Sequence, residues 1–224
     1  MNVLNRKSIF LTALFVANSL CFAQTGTVKP SSKSSLSVAI EPLYFISRIT
    51  KLDLEYKPKK HWFSYIISPE FFSGTVYDGS IFSMKNTPSD ELRGFGIGLH
   101  QKISAKVKSN AVPYLAYGVT LRKNTITYDD EGFVPFQENG LSFYEYRNFT
   151  DDMKIETSLF SVLAGVQITA DSNLQFDMYT GAGYKSSTKS SLIEGKRDYN
   201  QTFTDYAYNG FVFQLGVRFG YKIL

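Results

Sequence analysis

Over 211–224 apolar positions alternate with mostly polar or small ones without a break. Phe211, Phe213, Leu215, Val217, Phe219, Tyr221 and Ile223 fall on one face, and Val212, Gln214, Gly216, Arg218, Gly220, Lys222 and Leu224 on the other. A strand this long at the edge of a soluble sheet would invite pairing with other chains. The same period recurs backwards along the chain and predicts strands at about 173–185, 155–170, 111–122, 93–107, 61–73 and 49–57. An eighth lies at 36–41, where Leu36, Val38 and Ile40 alternate with Ser37, Ala39 and Glu41. Pro42, which cannot donate to a ladder, either ends this first strand or sits in a bulge.

The spacers alternate in length. Short turns at Pro58-Lys59-Lys60, Ser109-Asn110 and Asp171-Ser172-Asn173 take turns with long loops at about 74–92, 124–154 and 186–209. The first loop, near Ser47-Arg48, is expected to be very short. Short turns at one end and long loops at the other are the habit of bacterial outer-membrane barrels. The expected fold is therefore all-β: an eight-stranded antiparallel up-and-down transmembrane barrel with periplasmic turns, external loops and both termini in the periplasm.

Alternation also assigns faces. Leu52, Leu54, Tyr56, Phe63, Tyr65, Ile67, Phe71, Phe95, Ile97, Leu99, Leu115, Val119, Leu121, Phe160, Val162, Phe176 and Met178 belong to the face that meets lipid, with aromatics towards the strand ends. The opposite face carries Glu41, Asp53, Glu55, Glu70, His100, Lys102, Arg122, Asp177, Arg218 and Lys222. An eight-stranded barrel is just wide enough for side chains to fill it, so these charges are expected to neutralise one another as a structural network, with no channel.

The N-terminus explains how such a chain would reach that membrane. Arg6 and Lys7 precede an apolar run at 9–22, and Cys21-Phe22-Ala23 has the small residues of a cleavage site, so 1–23 reads as an export signal, 24–35 as a polar linker and 36–224 as the barrel. Cys21 is the sole cysteine, so the mature chain holds no disulfide and no thiolate ligand or nucleophile. Without Arg6 and Lys7 the 24 basic residues fall to 22 against 20 acidic, a net charge of +2 that gives nucleic acid no foothold. Aromatics make up 16% of the chain, with 19 Phe and 15 Tyr, which suits interfacial belts better than a soluble core.

Within the last strand, Gln214, Gly216, Phe219 and Tyr221 fit the pattern of a polar residue, a glycine and two alternating hydrophobics. This resembles the C-terminal signal that the outer-membrane assembly machinery reads. The strand tally, export signal and terminal strand together resemble the small eight-stranded outer-membrane proteins, such as the OmpX and OmpA transmembrane barrels. Pro42-Leu43-Tyr44 followed by Lys51-Leu52-Asp53-Leu54-Glu55-Tyr56 is similar to the compact outer-membrane β-barrel domain proteins of the Bacteroidetes. The resemblance implies outer-membrane lipid, the assembly machinery and periplasmic chaperones as partners, and brings no functional motif with it.

Chemistry is sparse. Barrels that modify outer-leaflet lipid use a His with Ser and an acid near the outer surface, and a secreted lipocalin-like carrier is a further reading of eight antiparallel strands. Only His61 and His100 are available: the first falls at a periplasmic turn, the second on the lumen face beside Lys102. Trp62 lacks the Gly-x-Trp setting of lipocalins, and the final segment is a strand. Asp129-Asp130-Glu131 and Asp151-Asp152 lack the spaced pattern of a calcium loop and read as solvated charge, so no metal or cofactor is expected. The 124–154 loop, with Tyr128, Phe133, Phe136, Phe143, Tyr144, Tyr146 and Phe149 among its acids, either meets an extracellular ligand or extends the strands above the membrane. The reading that follows is a non-catalytic outer-membrane protein serving membrane integrity or surface recognition.

Overall fold

The computed structural model describes residues 34–76, 90–107, 110–170, 173–191, 193 and 198–223; the export signal, Cys21 and most of the expected 74–92 loop lie outside the described residues. The elements are β1 (Ser35–Ile40), α1 (Leu43–Ile46), β2 (Ile49–Lys57), β3 (Phe63–Val76), β4 (Asp90–Ser104), β5 (Ala111–Glu138), β6 (Leu141–Thr169), β7 (Leu174–Ser190) and β8 (Gly210–Lys222). The eight strands close into an antiparallel barrel in chain order, with β8 returning to β1. Below, the end where β1 starts and β8 finishes is the turn end, and the other is the loop end.

Three sequence expectations change. The 124–154 segment is not a loop: β5 and β6 continue in unbroken register up to Glu138↔Leu141. Asn139 and Gly140 turn the chain there, both at positive φ (50° and 79°), as a two-residue hairpin requires. Likewise β7 runs on to Ser190, so the loop expected from 186 begins at 191. The first connection is not a tight turn at Ser47-Arg48. Pro42, at φ −62° and ψ −29°, stands at the start of the single helical turn α1, so β1 stops after six residues.

A second proline leaves a milder mark. Pro69 lies inside β3, and the pairing with β2 skips from Lys51↔Glu70 to Leu54↔Ile67 without changing register. The missing amide explains the gap.

The wall has two zones of opposite polarity. Along β3 to β8 the last apolar outward residue towards the loop end is Phe71, Phe95, Leu121, Phe160, Tyr184 or Phe211; the next outward positions on β3 to β7 are Ser73, Arg93, Lys123, Ser158 and Ser186. On the turn-end side of that ring the outside is apolar, with Phe95 61%, Leu215 73% and Phe213 80% exposed, while charged groups are buried inside: Lys102 is 0% and Glu41 1% exposed. Beyond the ring the order reverses. Lys123–Glu156 and Arg93–Glu91 ion pairs lie on the outside, and Phe72, Leu92, Ile126, Met153 and Ile155 form an apolar core inside.

Candidate functional site

The turn-end lumen is organised around three cations. Arg218 Nε lies 2.7 Å from Asp53 and 3.6 Å from Glu41, and its Nη1 is 3.7 Å from Asp177. Lys51 Nζ is 2.8 Å from Glu41 and 3.8 Å from Asp53. Lys102 Nζ joins Glu55 at 3.1 Å to Asp177 at 3.3 Å. The hydroxyls of Ser64, Tyr114 and Tyr179 donate to Glu55, Asp177 and Glu41 respectively, so these three carboxylates have a hydroxyl as well as a cation, while Asp53 is held by its ion pairs with Arg218 and Lys51. Arg218 and Lys102 also stack over the rings of Tyr179 and Tyr114, at 4.3 and 4.2 Å.

A separate pair lies nearer the loop end. Arg122 grips Glu70 with two hydrogen bonds, of 2.6 and 3.1 Å. Gly96 stands beside it, and a Cβ there would come within 3.1 Å of both partners. The glycines at period two in β4 thus make room for the long side chains across from them.

Of the ten charged residues expected in the lumen, Glu41, Asp53, Glu55, Lys102, Asp177 and Arg218 come together, and Arg122 with Glu70 forms the second group. Two do not join. Lys222, beside Ser37 towards the turn end, makes no ion pair among the described residues. His100 makes a 3.2 Å contact from Nε2 to Ser161 Oγ. No carboxylate accepts from its ring among the described residues, so the contact is a pair and not a triad. His61 lies at the turn end, 4.7 Å from the Phe63 ring.

Lys51 is the member that sequence reading passed over. It shares the period of Asp53 and Glu55, and that parity alone places it in the lumen. The void left inside the network, between Asp53, Glu55, Asp177 and Arg218, is about 20 Å³, room for a single water.

The loop end is capped. Tyr199 and Ala207, from the β7–β8 connection, complete the apolar core, and the Tyr199 hydroxyl donates to Asp90. Asp205 fixes the connection by accepting from the amides of Gln201 and Thr202 at 2.6 and 2.7 Å, and Lys185 Nζ donates to the Asp205 carbonyl at 2.5 Å. The Tyr206 hydroxyl donates to the Ser47 carbonyl at 2.9 Å. Burial of its ring pushes the Tyr206 phenol up to about 12.

Above the cap the β5–β6 hairpin continues alone. Phe133 packs edge-on against Tyr146 at 5.3 Å, and Phe136 stacks on Phe143 at 5.6 Å. Tyr144 nevertheless remains exposed, as do Phe133 and Leu141. The acids at its base accept from neighbouring hydroxyls: Thr150 to Asp129, Thr127 to Asp152 and Tyr128 to Asp151. Among the described residues no cluster could hold a metal ion.

In the terminal strand, Phe219 and Tyr221 face outward and pair with Ile40 and Val38 of β1, while Gln214 and Gly216 face inward. A Cβ on Gly216 would overlap the Tyr179 ring and the Glu41 carboxylate. That glycine therefore has a packing reason of its own.

No protein-family model matches the chain, and no curated protein does. Among solved structures it is similar to a major outer membrane protein from Thermus thermophilus, at 11% identity and a TM-score of 0.44, over 88% of this chain and 100% of that one. It is also similar to CarO of Acinetobacter baumannii, at 11% identity and a TM-score of 0.36, over 88% of this chain and 98% of that one. At this distance neither adds to the fold that the closed strand order already establishes.

Proposed function

We propose that the chain is a non-catalytic barrel of the outer membrane, with both termini periplasmic, that holds the β5–β6 hairpin outside the cell as a surface-recognition element. The observation that carries this reading is the reversal of polarity at the ring of Phe71, Phe95, Leu121, Phe160, Tyr184 and Phe211. A belt of bare Phe, Leu and Ile around buried Lys, Arg, Asp and Glu is the wrong way out for water and the right way out for hydrocarbon. A soluble carrier barrel would show the opposite order, with an apolar lumen at mid-depth. The ring marks where lipid ends and water begins, and the hairpin stands on the watery side with aromatics exposed for contact.

Two measurements test it. The protein is expected to fractionate with outer membranes and to change apparent size on boiling in detergent gels, since a closed ladder resists cold detergent. Recovery from a detergent-free periplasmic extract would overturn the location. Replacing 124–154 by a short Gly-Ser turn is expected to leave the heat-modifiable barrel and abolish surface binding. If binding or adhesion survives that replacement and disappears only with the whole barrel, membrane integrity is the role instead.

A further inference from the structure

The barrel wall is incomplete on one side. β8 pairs with β7 up to Lys185↔Gly210, but its pairing with β1 stops at Ile40↔Phe219. Pro42 ends β1 there and the chain turns into α1. Between Phe219 and Gly210 the flank of β8 is therefore covered by α1 and by the β7–β8 connection, with no strand beside it. A cavity of about 300 Å³ lies in this gap, and its lining includes lumen residues and lipid-facing residues together.

Its outer part is apolar, with Leu43 of α1 facing Phe213 and Leu215 of β8, both members of the exposed belt. Its inner part is polar and unsatisfied. Asn124, 2% exposed, has no hydrogen-bond partner for Oδ1, and Gln214 has none for Nε2. Buried amide atoms without partners are uncommon and call for an explanation. Among the described residues no carboxylate lines the cavity, whereas Arg122 and Lys185 both do. Arg122 is matched by Glu70, but the one hydrogen bond of Lys185 among the described residues goes to a carbonyl. The Asp205 carboxylate acts on Lys185 from outside this lining, so within the cavity itself no anion faces the amine.

We propose that this slot takes an anionic acyl amphiphile from the membrane, its carboxylate or phosphate head against Lys185 and Gln214 and its chain leaving between Leu43, Phe213 and Leu215. The proposal rests on the membrane reading above. Entry from the side needs no channel along the barrel axis, which the ion network and the apolar core fill.

The test is photolabelling of the full mature protein in phosphatidylcholine vesicles with a diazirine-bearing palmitic acid, read by mass spectrometry, with boiled and unboiled gels run on the same samples. Label is expected to concentrate on the peptides holding Leu43 and Phe213–Leu215, above belt positions on other strands such as Leu99 and Val119. Lys185→Met combined with Gln214→Leu is expected to lower it about tenfold, the worth of one charge-assisted hydrogen bond. Leu43→Trp, which fills the slot from its exposed side, should do the same without touching the polar residues. Displacement by unlabelled palmitate alone would identify a free fatty carboxylate, and displacement by phosphatidylglycerol a lipid phosphate; either supports the slot. Label spread evenly around the belt of a protein that remains heat-modifiable would overturn the slot and leave the barrel standing. Loss of heat-modifiability in the unmutated protein would overturn the membrane reading, and the slot with it.

Discussion

The two halves of this barrel use the same strands and the same alternation, yet they bury opposite things. Below the aromatic ring Arg218, Lys51 and Lys102 are enclosed with Glu41, Asp53, Glu55 and Asp177. Above it the enclosed residues are Leu92, Ile126, Met153 and Ile155. Period two dictates only that neighbours point to different sides; the solvent outside decides which side is apolar. A single strand such as β5 thus carries Leu121 outward and Arg122 inward, then within four residues Ile126 inward and Thr127 outward. On the proposed membrane reading, the level at which this happens would set the edge of the hydrocarbon more sharply than strand length does.

The comparison is easiest to break at the network. Arg218→Ala leaves Asp53 and Glu41 without their guanidinium, and removing one partner of a buried pair costs about 3–5 kcal/mol. The cost should appear as a lower unfolding midpoint in urea titrations of the refolded barrel. An unchanged midpoint would mean that the lower lumen admits enough water to solvate the acids.

A charge on the outside should distinguish the halves next. Leu99→Arg, in the belt, is expected to cost about 2–4 kcal/mol near mid-depth, whereas Ser158→Arg, beyond the ring and paired only with Leu121 and Ser186, should cost almost nothing. Equal costs would show that the ring does not mark the boundary. Gly216→Ala comes third. Its methyl collides with Tyr179, and overpacking of this kind costs about 1–3 kcal/mol. If instead the variant folds with normal stability in detergent but fails to assemble in cells, the recognition signal and not packing is what the glycine serves.

The smallest effect concerns the cap. The folded-state pKa of Tyr206 lies above the ordinary tyrosine value of 10.0, at about 12. Folding therefore favours the protonated phenol, and its contribution is full below pH ~10 and lost as pH rises towards ~12. Proteolysis of the β7–β8 connection should increase over that interval while the heat-modifiable band persists. Cleavage independent of pH would remove Tyr206 from the cap.

Most of the barrel was legible because alternation and turn residues are local signals. Strand count, order and facing followed from them; of the lumen charges, Lys51 was passed over, and Lys222 and His100 stay outside the ion pairs. What was not legible had two causes. Asn139-Gly140 is a strong hairpin signal, but the acids and aromatics around it also suit a loop, so β5 and β6 were expected to end near the membrane. The apolar upper core requires Tyr199 and Ala207 to return from a distant connection, and no local pattern announces such a contact. The slot beside β8 was foreshadowed only by Pro42.

The hairpin tip has one more consequence, for crowding. Register with β4 ends at Glu91↔Thr127 and with β7 at Lys154↔Ser190, so beyond those levels the ribbon has two open edges among the described residues. Copies held parallel in one membrane plane would meet at those edges and could zip together as a continuous sheet. Pro135 removes an amide from one edge, and Asp129, Asp130, Glu131, Glu138 and Glu145 give every copy like charges at the same height. Like charges facing one another across two such edges would repel over about 8 Å at physiological ionic strength, against the zipping that the open backbone invites.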